Sequence, residues 1–343
     1  MAVAQRSTYG RYRMNGKFLV ISVDTEGDWG AEKKNRITSV DGIKFLGDQC
    51  ARYGMRPTYL VTYEIVNDEA SVRAIREQLD RGMCEVGHHM HIWTTPPFED
   101  PNPYRVDEKW IDGIQSEIPD RPFEQKMRSL HDAVQNNFGV KCVSHRAGRW
   151  SVDKRTLSWL EKNGYLVDSS VCPYNSWDAT KGVSGRIKTG TYNAPNLPYY
   201  PSSGDLAKEA ERSDEAFNIL EVPVTGIKGD IFSRVKIKGF GRLRSFFNRL
   251  GYGGTGDMSF RPSYHLVPLK VFQGLTHDLF GSDTPLVNFM FHSSELSLGS
   301  SPFSGTEERL RLVREKIAFV LKTAKEYGVK GITLSESAPY FKR

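Results

Sequence analysis

The sequence predicts an α/β protein: a single incomplete or distorted (β/α) barrel with about seven parallel strands and a long aromatic-rich excursion. Three observations carry this. Short apolar, β-branched runs alternate with stretches of helical period along most of the 343 residues. The predicted helices stop at Gly54, Gly82, Gly139 and Gly164, and glycine most readily closes a helix in the left-handed conformation. No internal repeat or linker divides the chain, so one large domain fits better than two.

Taken in order, residues 18–24 (FLVISVD) are too short and too β-branched for a helix, and end in acids, so they read as a buried strand. A helix over 38–53, a strand over 57–62, a helix over 68–81 and a strand over 84–91 follow. The rhythm continues with a helix over 123–138, a strand over 141–146, a helix over 153–163 and a strand over 166–171. Residues 172–218 break it. Pro173, Pro195, Pro198 and Pro201 stand there among Tyr174, Trp177, Tyr192, Tyr199 and Tyr200, which marks an irregular, functional insertion. A strand over 219–225 resumes the pattern, and past a basic segment come a helix over 269–280, a strand over 286–292, a helix over 307–327 and a strand over 330–334. Residues 1–16, with Arg6, Arg11 and Arg13 and no apolar stretch, read as a flexible extension, and 17–343 as the barrel domain.

At 38% hydrophobic and 26% charged, the composition is that of a packed soluble protein, not of a disordered or fibrous one. No apolar run reaches the ~18 residues of a membrane span, and no secretory signal is visible, so the expected location is the cytoplasm. The scattered Cys50, Cys84, Cys142 and Cys172 read as reduced thiols. The net charge of +6 is concentrated in residues 228–250, where seven basic residues face one acid, Asp230. No nucleic-acid-binding motif accompanies them, so nucleic acid is not an expected partner. Phe240, Leu243, Phe247 and Leu250 recur there at helical spacing, with Arg242, Arg244 and Arg249 on other positions. Such a helix either leaves its arginines in solvent or meets an anionic surface, giving a peripheral contact with the inner face of a membrane through 234–250.

Barrels carry their active sites at the C-terminal ends of the strands. Those ends supply Asp24 and Glu26, then His88, His89 and His91, then His145 and Arg146, then Asp168, then His292 and Glu295; five of the eight histidines are among them. Two acids and a His-x-His make the donor set of a divalent site such as zinc, which needs ~3 protein ligands and an open position. If the chain stays extended, His89 and His91 share one face and His88 the other. The ligands would then be His89, His91 and one carboxylate. A polar loop whose histidines cap backbone groups fits the spacing equally well.

Five segments together resemble a known family. They are Asp24-Thr-Glu26-Gly-Asp-Trp29, Glu85-Val-Gly-His-His89-Met-His91-Ile-Trp-Thr-Thr-Pro-Pro97, His145-Arg146-Ala-Gly-Arg149-Trp150, Asp168-Ser-Ser-Val171 and Phe291-His292-Ser-Ser-Glu295. In this order they resemble the motifs of polysaccharide deacetylases, the NodB-homology enzymes of carbohydrate esterase family 4, and within them the divergent WalW-like branch linked to cell-surface polysaccharide synthesis. The resemblance spans roughly residues 17–336.

The resemblance implies a hydrolase that removes an N-acyl group, acetyl or formyl, from an amino sugar in a glycan or in a lipid- or nucleotide-linked precursor. One divalent metal ion, zinc first, is implied with it. Asp24 would be the catalytic base and Glu26 the acidic metal ligand, with Asp28 as a substitute. The family usually places its two histidines four apart, but Trp93 stands four after His89, so the ligands would be His89 and His91. Arg146 would pair with Asp24 and hold it ionised. His292 would be the general acid, and a backbone N–H near Gly148 or Arg149 would bear the oxyanion. Trp93, Arg149, Trp150, Asp168, Tyr174 and Trp177 would contact or support the substrate. Two other classes remain compatible: a catalytically inactive barrel that binds a glycan or a partner, and an amidase of the same fold acting on a non-sugar.

Overall fold

The computed structural model describes residues 16–29, 36–98, 114–174, 193–211, 215–227, 258–264 and 267–341. In chain order these form β1 (Phe18–Thr25), α1 (Val40–Tyr53), β2 (Pro57–Val61), α2 (Tyr63–Val66), α3 (Glu69–Leu79), β3 (Glu85–Met90), α4 (Asp120–Phe138), β4 (Ser144–Ala147), α5 (Lys154–Lys162), β5 (Val167–Asp168) and β6 (Leu220–Glu221). Then come β7 (Gly226–Ile227), β8 (Met258–Ser259), α6 (Leu269–Gly281), β9 (Leu286–His292), α7 (Glu307–Glu326) and β10 (Lys330–Ile332). The N-terminal extension apart from Gly16, Trp177 and the basic segment 228–250 with its expected short helix lie outside the described residues.

One parallel sheet carries the fold. Its order is β6-β5-β4-β3-β2-β1-β9, and β10 shares an edge of β1 with β2, pairing residues 18–20 while β2 pairs residues 21–25. The sheet curls until its two ends meet. There Thr225 N–H donates to the Asn288 carbonyl at 3.1 Å, and Asn288 Nδ2 donates to the Val222 carbonyl at 3.1 Å. Single hydrogen bonds thus bridge the seam where a ladder would close a full barrel, and the barrel is incomplete, as expected.

Strand alternation sorts β1 into two faces. Leu19, Ile21 and Val23 pack outward into the large core with Ile43, Leu46 and Cys50 of α1 and with Ile317, Val320 and Leu321 of α7. Phe18 and Val20 point inward and join Leu60, Val167, Leu220, Leu286 and Ile332 in an apolar floor. With both faces covered, all eight residues of β1 are buried.

β5 and β6 are shorter than the strands expected over 166–171 and 219–225. Ser170 explains part of this. Its hydroxyl accepts the Ala147 N–H at 2.8 Å, and the Val171 N–H goes to the Glu221 side chain at 3.0 Å, which interrupts the regular ladder. The described part of the aromatic excursion lies antiparallel along β6, with Tyr199 bridging Glu221. All four cysteines are buried, and none forms a disulfide. No described helix is long and apolar enough to cross a membrane.

Candidate active site

Above the apolar floor, the inward positions turn polar. Ser22 donates to Asn288 Oδ1 at 2.7 Å, and both belong to a hydrogen-bonded layer completed by Arg146 and Ser169. Arg146 is fully buried and makes four hydrogen bonds. Its Nη2 donates to Ser22 Oγ at 2.7 Å and Ser169 Oγ at 2.8 Å, its Nε to the Ser169 carbonyl at 2.7 Å, and its Nη1 to Asp24 Oδ1 at 2.6 Å. Burial opposes ionisation of Asp24, but Arg146 together with His89 and His292 outweighs it and holds the carboxyl below its ordinary range. With Oδ1 tied to Arg146, Oδ2 faces the histidines, 3.8 Å from His89 Nε2 and 3.9 Å from His292 Nε2.

Glu26 continues the inward face of β1 one step past the strand. Its Oε2 lies 3.4 Å from His91 Nε2 and 4.0 Å from His89 Nε2, and the ligand atoms of these three buried residues fall within 4.8 Å of one another. The chemistry of the set fits a divalent cation. His89 Nδ1 donates to the Arg146 carbonyl at 2.9 Å, so its proton is fixed there and the Nε2 lone pair faces Glu26. Burial keeps both imidazoles neutral, the form that ligates: it drives His89 down to about 4 and His91 well below the usual value. Burial also pushes Glu26 up to about 7, with the Asp24 and Glu64 charges adding and His292 opposing. Two nitrogens and one carboxylate oxygen suit zinc. Asp28, the substitute ligand, is committed elsewhere: it accepts from Thr38 N at 3.0 Å and pairs with Arg36 at 3.5 Å.

His292 closes the opposite side. It is in register with Asp24 on the neighbouring strand, and its Nε2 lies 3.8 Å from Glu26 Oε1. Its Nδ1 donates to Glu295 Oε1 at 2.8 Å. Burial disfavours the imidazolium, but Glu26, Glu295 and Asp24 outweigh it and raise His292 above its ordinary value. Glu295 goes the other way. Burial opposes its charge, and Arg261, His292 and Ser263 overcome that. Trp29 joins the two halves, donating Nε1–H to Glu26 Oε1 at 2.8 Å and setting its ring edge-on to His292 at 5.1 Å.

The other candidate residues scatter. Trp93 stacks on His91 at 4.1 Å, and the Arg149 guanidinium lies 5.2 Å over Trp93. Trp150 lies against Arg146 at 5.1 Å. Arg149 and Trp150 both have left-handed backbones, φ 55° and 58°, a strained pairing for bulky residues that is found at sites the surroundings over-determine. Tyr174 packs against Gly226. Asp168 is not a substrate contact: it is fully buried on the outer face of the sheet, accepting from His145 Nδ1 at 2.6 Å and from Ser170 at 2.7 Å. Glu221, which burial and the Asp168 charge push well above its ordinary value, shares a hydrogen bond with it.

Sequence reasoning names Glu295 only as a strand-end acid and Trp29 only as the end of the first quoted segment, and it does not reach Arg261 or Ser263. Trp29 and Glu295 each stand three residues after a named site residue, and that spacing was a usable signal.

No protein-family model matches this sequence, and no curated protein matches it as a relative. Its fold resembles solved structures at low identity. One, from Parabacteroides distasonis, is provisionally assigned as a glycoside hydrolase/deacetylase: TM-score 0.61, 14% identity, covering 96% of this chain and 72% of that one. Another, from Mycobacterium smegmatis, is provisionally assigned as a polysaccharide deacetylase: TM-score 0.52, 14% identity, covering 95% and 91%. A third is a GH57-type branching enzyme from Pyrococcus horikoshii: TM-score 0.52, 11% identity, covering 96% and 71%.

Proposed function

We propose that the protein is a metal-dependent N-deacylase acting on an acylated amino sugar, with Glu26, His89 and His91 as the ligands of one divalent ion, zinc by its donor set. One observation carries this reading: the ligand cluster is flanked on one side by Asp24, a carboxylate tied through Oδ1 to the buried Arg146, and on another by His292, an imidazole tied through Nδ1 to Glu295 with its Nε2 turned to the cluster. Resemblance of fold to deacetylases supports it.

The ion would supply Lewis acidity to the acyl carbonyl and to the attacking water. Asp24 Oδ2, the oxygen Arg146 leaves uncovered, accepts a proton from that water as its oxygen bonds to the acyl carbon. His292, its Nδ1 engaged by Glu295, carries the transferable proton on Nε2 and gives it to the nitrogen as the C–N bond breaks. The products are a free carboxylate and an amine. Trp29, Trp93 and Trp150 wall the site, and flat indole faces suit the apolar faces of sugar rings.

The test is acetate release from an N-acetylglucosamine oligomer by zinc-loaded protein, with bound zinc measured alongside. About one zinc per chain and acetate release abolished by chelation are expected. Zinc at that ratio with no hydrolysis would favour the inactive binding barrel. New reducing ends without acetate would favour hydrolysis of glycosidic bonds, the other activity under which the Parabacteroides distasonis structure is provisionally assigned. A carrier-linked substrate at a membrane face rests on the charge of residues 228–250 alone, and sedimentation with anionic vesicles tests it.

A further inference from the structure

Arg261 lies on residues 258–264, a segment that belongs to none of the five motifs. The segment is pinned from several sides. Phe260 N–H donates to the Thr225 carbonyl at 2.7 Å, and the Phe260 carbonyl accepts the Met290 N–H at 3.3 Å. The buried Lys316 of α7 donates to the Tyr264 carbonyl at 2.8 Å and to that of Pro262 at 3.4 Å.

From this backbone Arg261 makes a closed ring of hydrogen bonds with Glu295. Its Nη2 donates to Glu295 Oε1 at 2.7 Å. Its Nε donates to Ser263 Oγ at 3.1 Å, and that hydroxyl donates in turn to Glu295 Oε2. Both oxygens of a fully buried carboxylate are thus tied to one arginine. Tyr264 and Phe303 lie 5.6 and 5.5 Å from the guanidinium and hold its plane.

A pair serving only to neutralise charge needs one donor at any angle. Here the ring fixes the rotation of the carboxylate, so Oε1 presents its lone pair in one direction, and that oxygen also accepts His292 Nδ1–H at 2.8 Å. The 3.3 Å approach of Arg261 Nη2 to His292 Nδ1 follows from both donating to Oε1. With Nδ1 held, the opposite ring nitrogen must point where it does, at Asp24 Oδ2 and Glu26 Oε1. We propose that Arg261, acting through Glu295, is a positioning residue that fixes the aim of His292 Nε2 across the site. This deepens the deacylase reading and rests on it for its rate measurements.

The experiment compares Arg261→Ala, Arg261→Lys and Ser263→Ala with wild type in the zinc-loaded protein, reading kcat and KM on an N-acetylglucosamine oligomer together with zinc content. The His292 Nδ1–H proton resonance is followed in parallel, assigned by its disappearance in His292→Gln. Arg261→Ala should lower kcat roughly 100-fold, as misplacement of a reacting group does, with KM within about threefold and zinc content unchanged. Arg261→Lys, which keeps one donor but loses the ring, should recover part of kcat. Ser263→Ala should cost roughly tenfold, and the resonance should move in all three. Unchanged kcat with an unmoved resonance in Arg261→Lys and Ser263→Ala would overturn the proposal, as would a loss confined to KM, which would make Arg261 a substrate contact. Should wild type release no acetate, the deacylase reading fails, and the resonance alone decides the link from Arg261 to His292.

Discussion

Gly148 lies against His91 so closely that a Cβ on it would stand 2.6 Å from the imidazole Cδ2 and 2.4 Å from the Met90 carbonyl oxygen. Only glycine leaves room for the ring to sit where its Nε2 comes within 3.4 Å of Glu26. Gly148→Ala is expected to push His91 aside and weaken zinc binding by roughly 10–100-fold, at a cost of about 1–3 kcal/mol in stability from overpacking. Competition with a chromophoric chelator measures the first, and urea unfolding the second. Undiminished zinc affinity would remove His91 from the ligand set.

Zinc binding should release a proton, and the source should be Glu26. Both histidines of the cluster are neutral well below pH 7, whereas burial holds the Glu26 carboxyl at about 7. As pH falls below about 7, zinc affinity should therefore drop by about tenfold per pH unit. Calorimetric titration near pH 6 in buffers of different ionisation enthalpy counts the protons. A flat affinity over that range would mean that Glu26 is not a ligand.

The Asp24–Arg146 pair makes a prediction about acid stability. Asp24 titrates below its ordinary 3.8 in the folded protein, so its contribution is complete above that pH and is lost as pH falls through the lower folded value. Arg146→Met reverses the sign by leaving a buried carboxylate without its cation. The variant should lose about 3–5 kcal/mol at neutral pH, and less as acidification protonates Asp24. Adding Asp24→Asn to Arg146→Met should restore part of the loss, giving a double mutant more stable than the sum of the singles predicts. Additive losses in urea unfolding would argue against the pair.

Trp29→Phe separates the indole's two roles. It deletes the N–H that meets Glu26 Oε1 at 2.8 Å and keeps an aromatic ring beside His292. Zinc affinity should fall about tenfold, as for the loss of a group orienting a ligand. Unaltered affinity would leave Trp29 as a wall of the pocket only.

Much of this arrangement could be read from strand parity. Every second residue from Phe18 gives Phe18, Val20, Ser22, Asp24 and Glu26, which is the apolar floor, the hydrogen-bonded layer and the acidic rim in order. His89 and Arg146 are paired in register and face inward, while His88 contacts the Met127 carbonyl of α4 and faces outward. The same rule, applied to β5, turns Ser169 inward and Asp168 outward. Asp168 stands at a strand end within one of the family-like segments, but its parity puts it on the outer face with His145. Arg261 and Ser263 were out of reach for another reason: their partner is Glu295, more than thirty residues away, and no periodicity in 258–264 announces the contact.

The adjacency of Asp24 and His292 on β1 and β9 also sets a timetable for biosynthesis. β1 leaves the ribosome long before β9 and keeps one edge unpaired until β9 emerges, and β10, made later still, completes the other. At translation rates of ~5–20 residues per second that wait lasts on the order of tens of seconds, with an apolar, β-branched edge exposed throughout. Such long-range pairing is slow to form. The nascent chain is therefore expected to depend on chaperones that shield strand edges, and proteins truncated before residue 286 should aggregate instead of accumulating as folded intermediates.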